Sequence, residues 1–153
     1  MRMLQLKVPP VVVTLLFAGW IWLAARTLPG PSCAGPTSTM LAAGLAGFGG
    51  AIAVSGVWQF RVARTTVHPL RPDAATALVT NGIYRFTRNP MYLGLLLALF
   101  GWALLLGQPA ALLLAVAYVP VMNRLQIIPE EHALRARFGA AFHDYQARVR
   151  RWL

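Results

Sequence analysis

Glu130 and Glu131 stand side by side and make up half of the chain's acids, since its 153 residues hold four Asp or Glu against fourteen Lys or Arg. Adjacent carboxylates in so basic a chain have two readings. Either they cap a helix opened by Pro129, where the macrodipole favours negative charge, or one of them meets a cationic ligand group. Residue types alone leave both open. Arg88 and Asn89 offer the opposite chemistry, a cation and an amide immediately before Pro90. Proline is tolerated in a first helical turn, so these two residues belong at a helix N-terminus, where anions are favoured. Asn123, Arg124 and Gln126 form a third polar group, set in an apolar run that resumes at Leu125, Ile127 and Ile128. Polar groups so placed are expected to face a protein-lined cavity at a membrane edge. His68, His132 and His143 are available as bases, and no spacing singles one out.

The elements that must position these groups follow from composition. At 58% hydrophobic and 12% charged residues, with a mean hydropathy of +0.57, the chain is more apolar than a soluble domain and too apolar to be disordered. The apolar residues are therefore expected to face lipid. A helix needs about 20 apolar residues to cross a hydrocarbon core of about 30 Å, and four stretches approach that, at about 8–25, 40–60, 91–106 and 110–128. The spacing predicts an all-α membrane bundle, residues 1–153 forming one domain.

In the second stretch, small pairs such as Ala43/Gly47 and Ala46/Gly50 invite close helix approach, which predicts a central position for this helix. Only Gly107, Gln108 and Pro109 separate the last two stretches, a tight helical hairpin. Beyond it, Leu134, Phe138, Phe142, Tyr145 and Val149 recur at helical spacing between charged residues. This predicts an amphipathic helix anchored at the cytoplasmic interface.

Thirteen of the fourteen basic residues fall before the first stretch, between the second and third, or after the fourth, leaving Arg26 alone on the other side. Such asymmetry reports membrane orientation rather than nucleic-acid binding, and it places both termini in the cytoplasm. Residues 1–25 also carry the basic-then-apolar pattern of a signal peptide. Gly30-Pro31-Ser32 before Cys33 lacks the aliphatic residue of a lipoprotein site, so a retained span is expected. Cys33 is the only cysteine, which excludes an internal disulfide.

The most distinctive segment joins the polar groups. Asn81-Gly82 marks a turn, and Gly82, Tyr84, Arg88, Asn89, Pro90, Tyr92 and Gly94 satisfy the pattern Gly-x-Tyr-x-x-x-Arg-(His/Asn)-Pro-x-Tyr-x-Gly. After the hairpin, Glu130, Glu131, Leu134, Phe138 and Gly139 satisfy Glu-Glu-x-x-Leu-x-x-x-Phe-Gly, followed by Tyr145 and Arg148 in a basic tail. With these two motifs in this order, the chain resembles the isoprenylcysteine carboxyl methyltransferase superfamily, which includes the phospholipid N-methyltransferases.

The resemblance implies an integral membrane methyltransferase that uses S-adenosylmethionine, which leaves as S-adenosylhomocysteine.

 It also implies that residues 76–153 hold the cofactor. By position, Leu78, Val79, Tyr84, Arg88, Asn89, Pro90, Tyr92, Glu130 and Glu131 would line its site, with Glu130 on the ammonium of its methionine portion and Arg88 on the carboxylate. Arg124, Gln126 and Arg148 would contact a lipophilic acceptor, Arg124 and Gln126 also positioning it, and no metal is implied. Methyl transfer from a sulfonium is an in-line displacement that consumes a positive charge, so alignment and exclusion of water are its main requirements. Two other readings compete. One is a membrane reductase of the sterol-reductase type, with Arg85 and Arg88 on a nicotinamide cofactor's extra phosphate. The other is a non-catalytic membrane protein whose Arg/Glu cluster is structural.

Overall fold

The computed structural model describes residues 8–30, 32, 34–63 and 77–153. Arg2, Lys7, Cys33, Arg64, His68 and Arg71 lie outside the described residues. Helices α1 (Pro10–Thr27), α2 (Pro36–Val62), α3 (Pro90–Leu106) and α4 (Pro109–Met122) form the apolar body. Proline opens all four, where its missing N–H costs nothing and its fixed φ suits the first turn. The loop before α2 is shorter than its Pro/Gly/Ser content predicts, because the Ser38 hydroxyl accepts the Gly35 N–H at 2.9 Å and the helix begins at Pro36.

Among the described residues, three helical stretches are long and apolar enough to cross a membrane: Pro10–Thr27, Pro36–Val62 and Pro109–Phe138. α3, with 17 residues, is shorter. It is also the most enclosed, burying eight of those residues, whereas the longer α2 buries four. The central position therefore belongs to α3, which packs on α2, α1 and α4. The α2 contact is made by a different small-residue face from the expected one. A Cβ on Gly49 would lie 2.7 Å from the Gly94 carbonyl oxygen, and one on Gly56 would lie 2.9 Å from Pro90, while Gly44, Gly47 and Gly50 meet nothing. Gly94 thus admits the α2 backbone itself.

On the other side of α3, Val13, Phe17 and Ile21 of α1 join Leu96, Leu99 and Ala103 of α3 and Ala115, Tyr118 and Met122 of α4 in the main core. The Thr14 and Tyr118 hydroxyls share a hydrogen bond at 2.9 Å, and Phe17 meets the Tyr118 ring edge-on at 5.4 Å. The tight hairpin between α3 and α4 is present, with Gly107 left-handed at φ +68°. Gln108 ties it down by donating to the Leu28 carbonyl at 3.1 Å.

The helix that carries the fourth apolar stretch continues past residue 128. A π turn, Asn123–Ile127, joins α4 to α5 (Ile128–Phe138) without a break. The Ile128 N–H reaches back to the Asn123 carbonyl, and this widened turn carries the helix past Pro129. Glu130 and Glu131 consequently have no free helix end to cap. The expected single amphipathic helix is divided at Gly139, whose φ of +50° ends α5 before α6 (Ala140–Arg148). Its apolar stripe faces protein. Leu134, Phe138, Phe142, Tyr145 and Val149 close around Tyr84 in a second core.

Candidate functional site

The sequence brings its two motifs together through three local devices. Gly82, at φ +60°, starts a one-turn 3-10 helix, Gly82–Arg85, and lies directly against the Gln59 side chain of α2. That turn buries Tyr84, whose ring meets Phe60 edge-on at 5.4 Å and whose carbonyl accepts the Tyr145 hydroxyl at 2.7 Å. Burial pushes both phenols above the ordinary tyrosine range, so each stays neutral. Leu78 and Val79 pack on the same cluster. The first motif is thereby fixed to α6 on one side and α2 on the other.

The second device is the C-terminal tail, which the motifs did not mark beyond Arg148. The Arg88 N–H donates to the Arg150 carbonyl at 3.0 Å, and the Asn89 side-chain amide donates to the Arg151 carbonyl at 2.8 Å. The Thr87 hydroxyl, fully buried, also donates to the Arg151 carbonyl, at 3.3 Å. Trp152 completes the strap by donating from its indole to the Asn123 side-chain oxygen at 3.0 Å. The tail's basic and aromatic residues were a signal, but the motif spacing ends at Arg148.

The third device is the unbroken helix through the π turn into α5, along which neighbouring residues point about 100° apart. Glu131 is buried and accepts from Arg88 at 3.0 Å and from Arg151 at 2.7 and 3.0 Å. Burial pulls the Arg88 guanidinium below its usual range while Glu131 opposes that pull, and the hydrogen bonds to Glu131 hold Arg151 above it. Glu131 is thus neutralised by protein cations. Glu130 is different, because it accepts the Tyr92 hydroxyl and has no basic partner among the described residues. Gln126 is fully buried and donates to the Val8 carbonyl at 2.6 Å, whereas Arg124 is exposed.

Two buried polar atoms lack a partner among the described residues, Arg88 Nε and Gln126 Oε1. Buried polar groups are nearly always satisfied, so these two stand out. Neither of them lines the cavity that Arg148 shares with Arg85. Arg85 and Arg88, which a nicotinamide phosphate would need together, are therefore committed to different places. His132 and His143 are exposed, and no group of three or more His, Cys, Asp or Glu able to hold a metal occurs among the described residues.

Residues 37–141 match the phospholipid methyltransferase family. An uncharacterised protein of Haemophilus influenzae is 44% identical over 63 residues, 41% of this chain and all of that protein. Protein-S-isoprenylcysteine O-methyltransferase B of Arabidopsis thaliana is 35% identical over 83 residues, covering 52% of this chain and 41% of the plant protein. Its A counterpart is 39% identical over 75 residues, covering 47% of this chain and 36% of that protein. The chain thus spans about two fifths of the plant proteins' length. No solved structure matches the chain.

Proposed function

The chain belongs to the phospholipid methyltransferase family, and from that premise we propose that it is a membrane enzyme moving a methyl group from S-adenosylmethionine to a lipophilic acceptor. The observation that carries this reading is the contrast between two adjacent carboxylates. Glu131 is neutralised by Arg88 and Arg151, while among the described residues Glu130 meets the Tyr92 hydroxyl and no cation. A carboxylate held by a neutral donor, and lacking a protein cation, suits the ammonium of an amino-acid ligand. The unused Arg88 Nε suits the carboxylate of the same ligand.

When bound, S-adenosylmethionine would supply an electrophilic methyl group on a sulfonium. The chain's own contribution is to bind and orient. Tyr92 holds the Glu130 carboxylate, the tail strap fixes Arg88 and Asn89, and the aromatic cluster around Tyr84 supports Leu78 and Val79. Asn89 carries no titratable group, so it positions and takes no part in proton transfer. The acceptor side is assigned to Arg124 and Gln126 at the π turn, with the Gln126 Oε1 acceptor still unused. An acceptor of either kind, carboxylate or amine, enters from the lipid between helices.

We also read α3 as a crossing. Its 17 residues span about 26 Å at 1.5 Å each, and its neighbours in the bundle shield it from lipid. Four crossings place both termini in the cytoplasm. A reporter fused to the C-terminus should be active only in its cytoplasmic form, and an external reading would remove the four-crossing arrangement.

The cofactor assignment is tested by calorimetric titration of the detergent-solubilised chain with S-adenosylhomocysteine, with NADPH in parallel. Binding of the homocysteine compound alone is the expected result. Binding of NADPH alone, or of neither compound, would overturn it.

A further inference from the structure

A cavity of about 480 Å³ is lined by Thr80, Asn81, Arg85, Tyr145, Arg148 and Val149. Its two arginines come from the 3-10 turn and from α6, and among the described residues no acidic one lines it. Arg85 has no carboxylate partner among the described residues. Arg148 donates from Nε to the Asp144 carbonyl at 3.2 Å, while the Asp144 carboxylate lies 3.9 Å from His143 Nδ1. Two guanidinium charges therefore share one cavity with no carboxylate between them. Like charges held this way repel, and an anion between them would reverse the sign of the interaction.

The chemistry of that anion follows from its surroundings. The planar guanidinium fork matches phosphate oxygens in pairs, and Thr80 and Asn81 add neutral donors. The cavity also lies where α2 ends, since Gly82 rests on Gln59 and Tyr84 on Phe60. Large apolar side chains at this level remain uncovered: Phe86, next to Arg85, is 70% exposed, and Trp58 and Val62 of α2 are 61% and 63% exposed. Exposed aromatic residues at the end of an apolar helix mark the membrane interface. A soluble phosphate needs no such apolar collar, whereas a lipid headgroup brings acyl chains to it.

We propose that Arg85 and Arg148 bind the phosphate of an anionic phospholipid at the membrane surface, in a cavity that neither Glu130 nor Arg88 lines. The proposal does not depend on the identity of the methyl donor. It assigns Arg148 to lipid phosphate, and it frees Arg85 from partnership with Arg88, which Glu131 occupies.

The test uses the whole chain in neutral detergent, titrated with short-chain phosphatidylglycerol, short-chain phosphatidylcholine or inorganic phosphate and followed by native mass spectrometry. Phosphatidylglycerol should bind the most tightly. Arg85→Gln and Arg148→Gln should each weaken it roughly tenfold, and Arg148→Lys, which keeps the charge but loses the fork, should fall between. The exposed-face control Arg137→Gln should change it by less than about twofold. Unchanged phosphatidylglycerol affinity in both arginine-to-glutamine variants would overturn the site. Inorganic phosphate binding as tightly as phosphatidylglycerol would overturn the lipid assignment. Binding of S-adenosylhomocysteine by the unaltered chain, read separately, tests the cofactor reading alone.

Discussion

Glu130 and Glu131 project about 100° apart around one helix, and this rotation gives them different chemistry. Glu130→Gln should weaken S-adenosylhomocysteine binding by roughly 2–4 kcal/mol, because it removes a partly desolvated partner of an ammonium. The amide oxygen can still accept the Tyr92 hydroxyl, so thermal unfolding in detergent should stay close to wild type. Calorimetric affinity within about twofold of wild type would sink the assignment. Glu131→Gln should do the reverse, costing about 3–5 kcal/mol of stability by leaving Arg88 and Arg151 without their charge partner. A thermal unfolding midpoint unchanged in that variant would mean that the pair of arginines finds another anion. Sequence marked both acids as unusual, but which of them was spent on internal cations depended on where Arg151 returned.

The helices show the same division. Alternation of apolar runs with Pro and Gly located the starts of α3 and α4 and the hairpin between them, because those signals are local. Which small residues of α2 make contact was not local, since an approach to α3 requires the facing glycine. Gly49→Leu should therefore separate α2 from Gly94 and lower stability by about 1–3 kcal/mol, whereas Gly47→Leu, with open space around it, should be close to neutral. Comparison of thermal unfolding midpoints in one detergent checks both, and equal losses would contradict the assigned face. The amphipathic stripe from Leu134 to Val149 was visible at helical spacing, yet spacing cannot distinguish a lipid surface from a protein one. Tyr84, sixty-one residues before Tyr145, decides that it covers protein.

Across the molecule, the tail strap reinforces the direct Arg88–Glu131 contact between the two motifs. Removing residues 150–153 deletes the carbonyls that accept from Arg88 and Asn89, the Arg151 partner of Glu131, and the Trp152 bond to Asn123. The shortened chain should unfold at a lower temperature and lose most of its S-adenosylhomocysteine affinity, both read on detergent-purified protein. Retention of both would show that the strap is dispensable. Composition, local Pro and Gly signals and motif spacing by themselves determined a helical membrane protein, the hairpin and the family. Those properties follow from what each segment prefers as solvent and from short-range backbone constraints. Tertiary structure alone decided the central place of α3, the unbroken helix through Pro129, the pairing of Glu131 with Arg88 and Arg151, and the meeting of Arg85 with Arg148. Each of these depends on contacts between residues far apart in the chain, where the energy of a pair exists only once the fold has brought its members together.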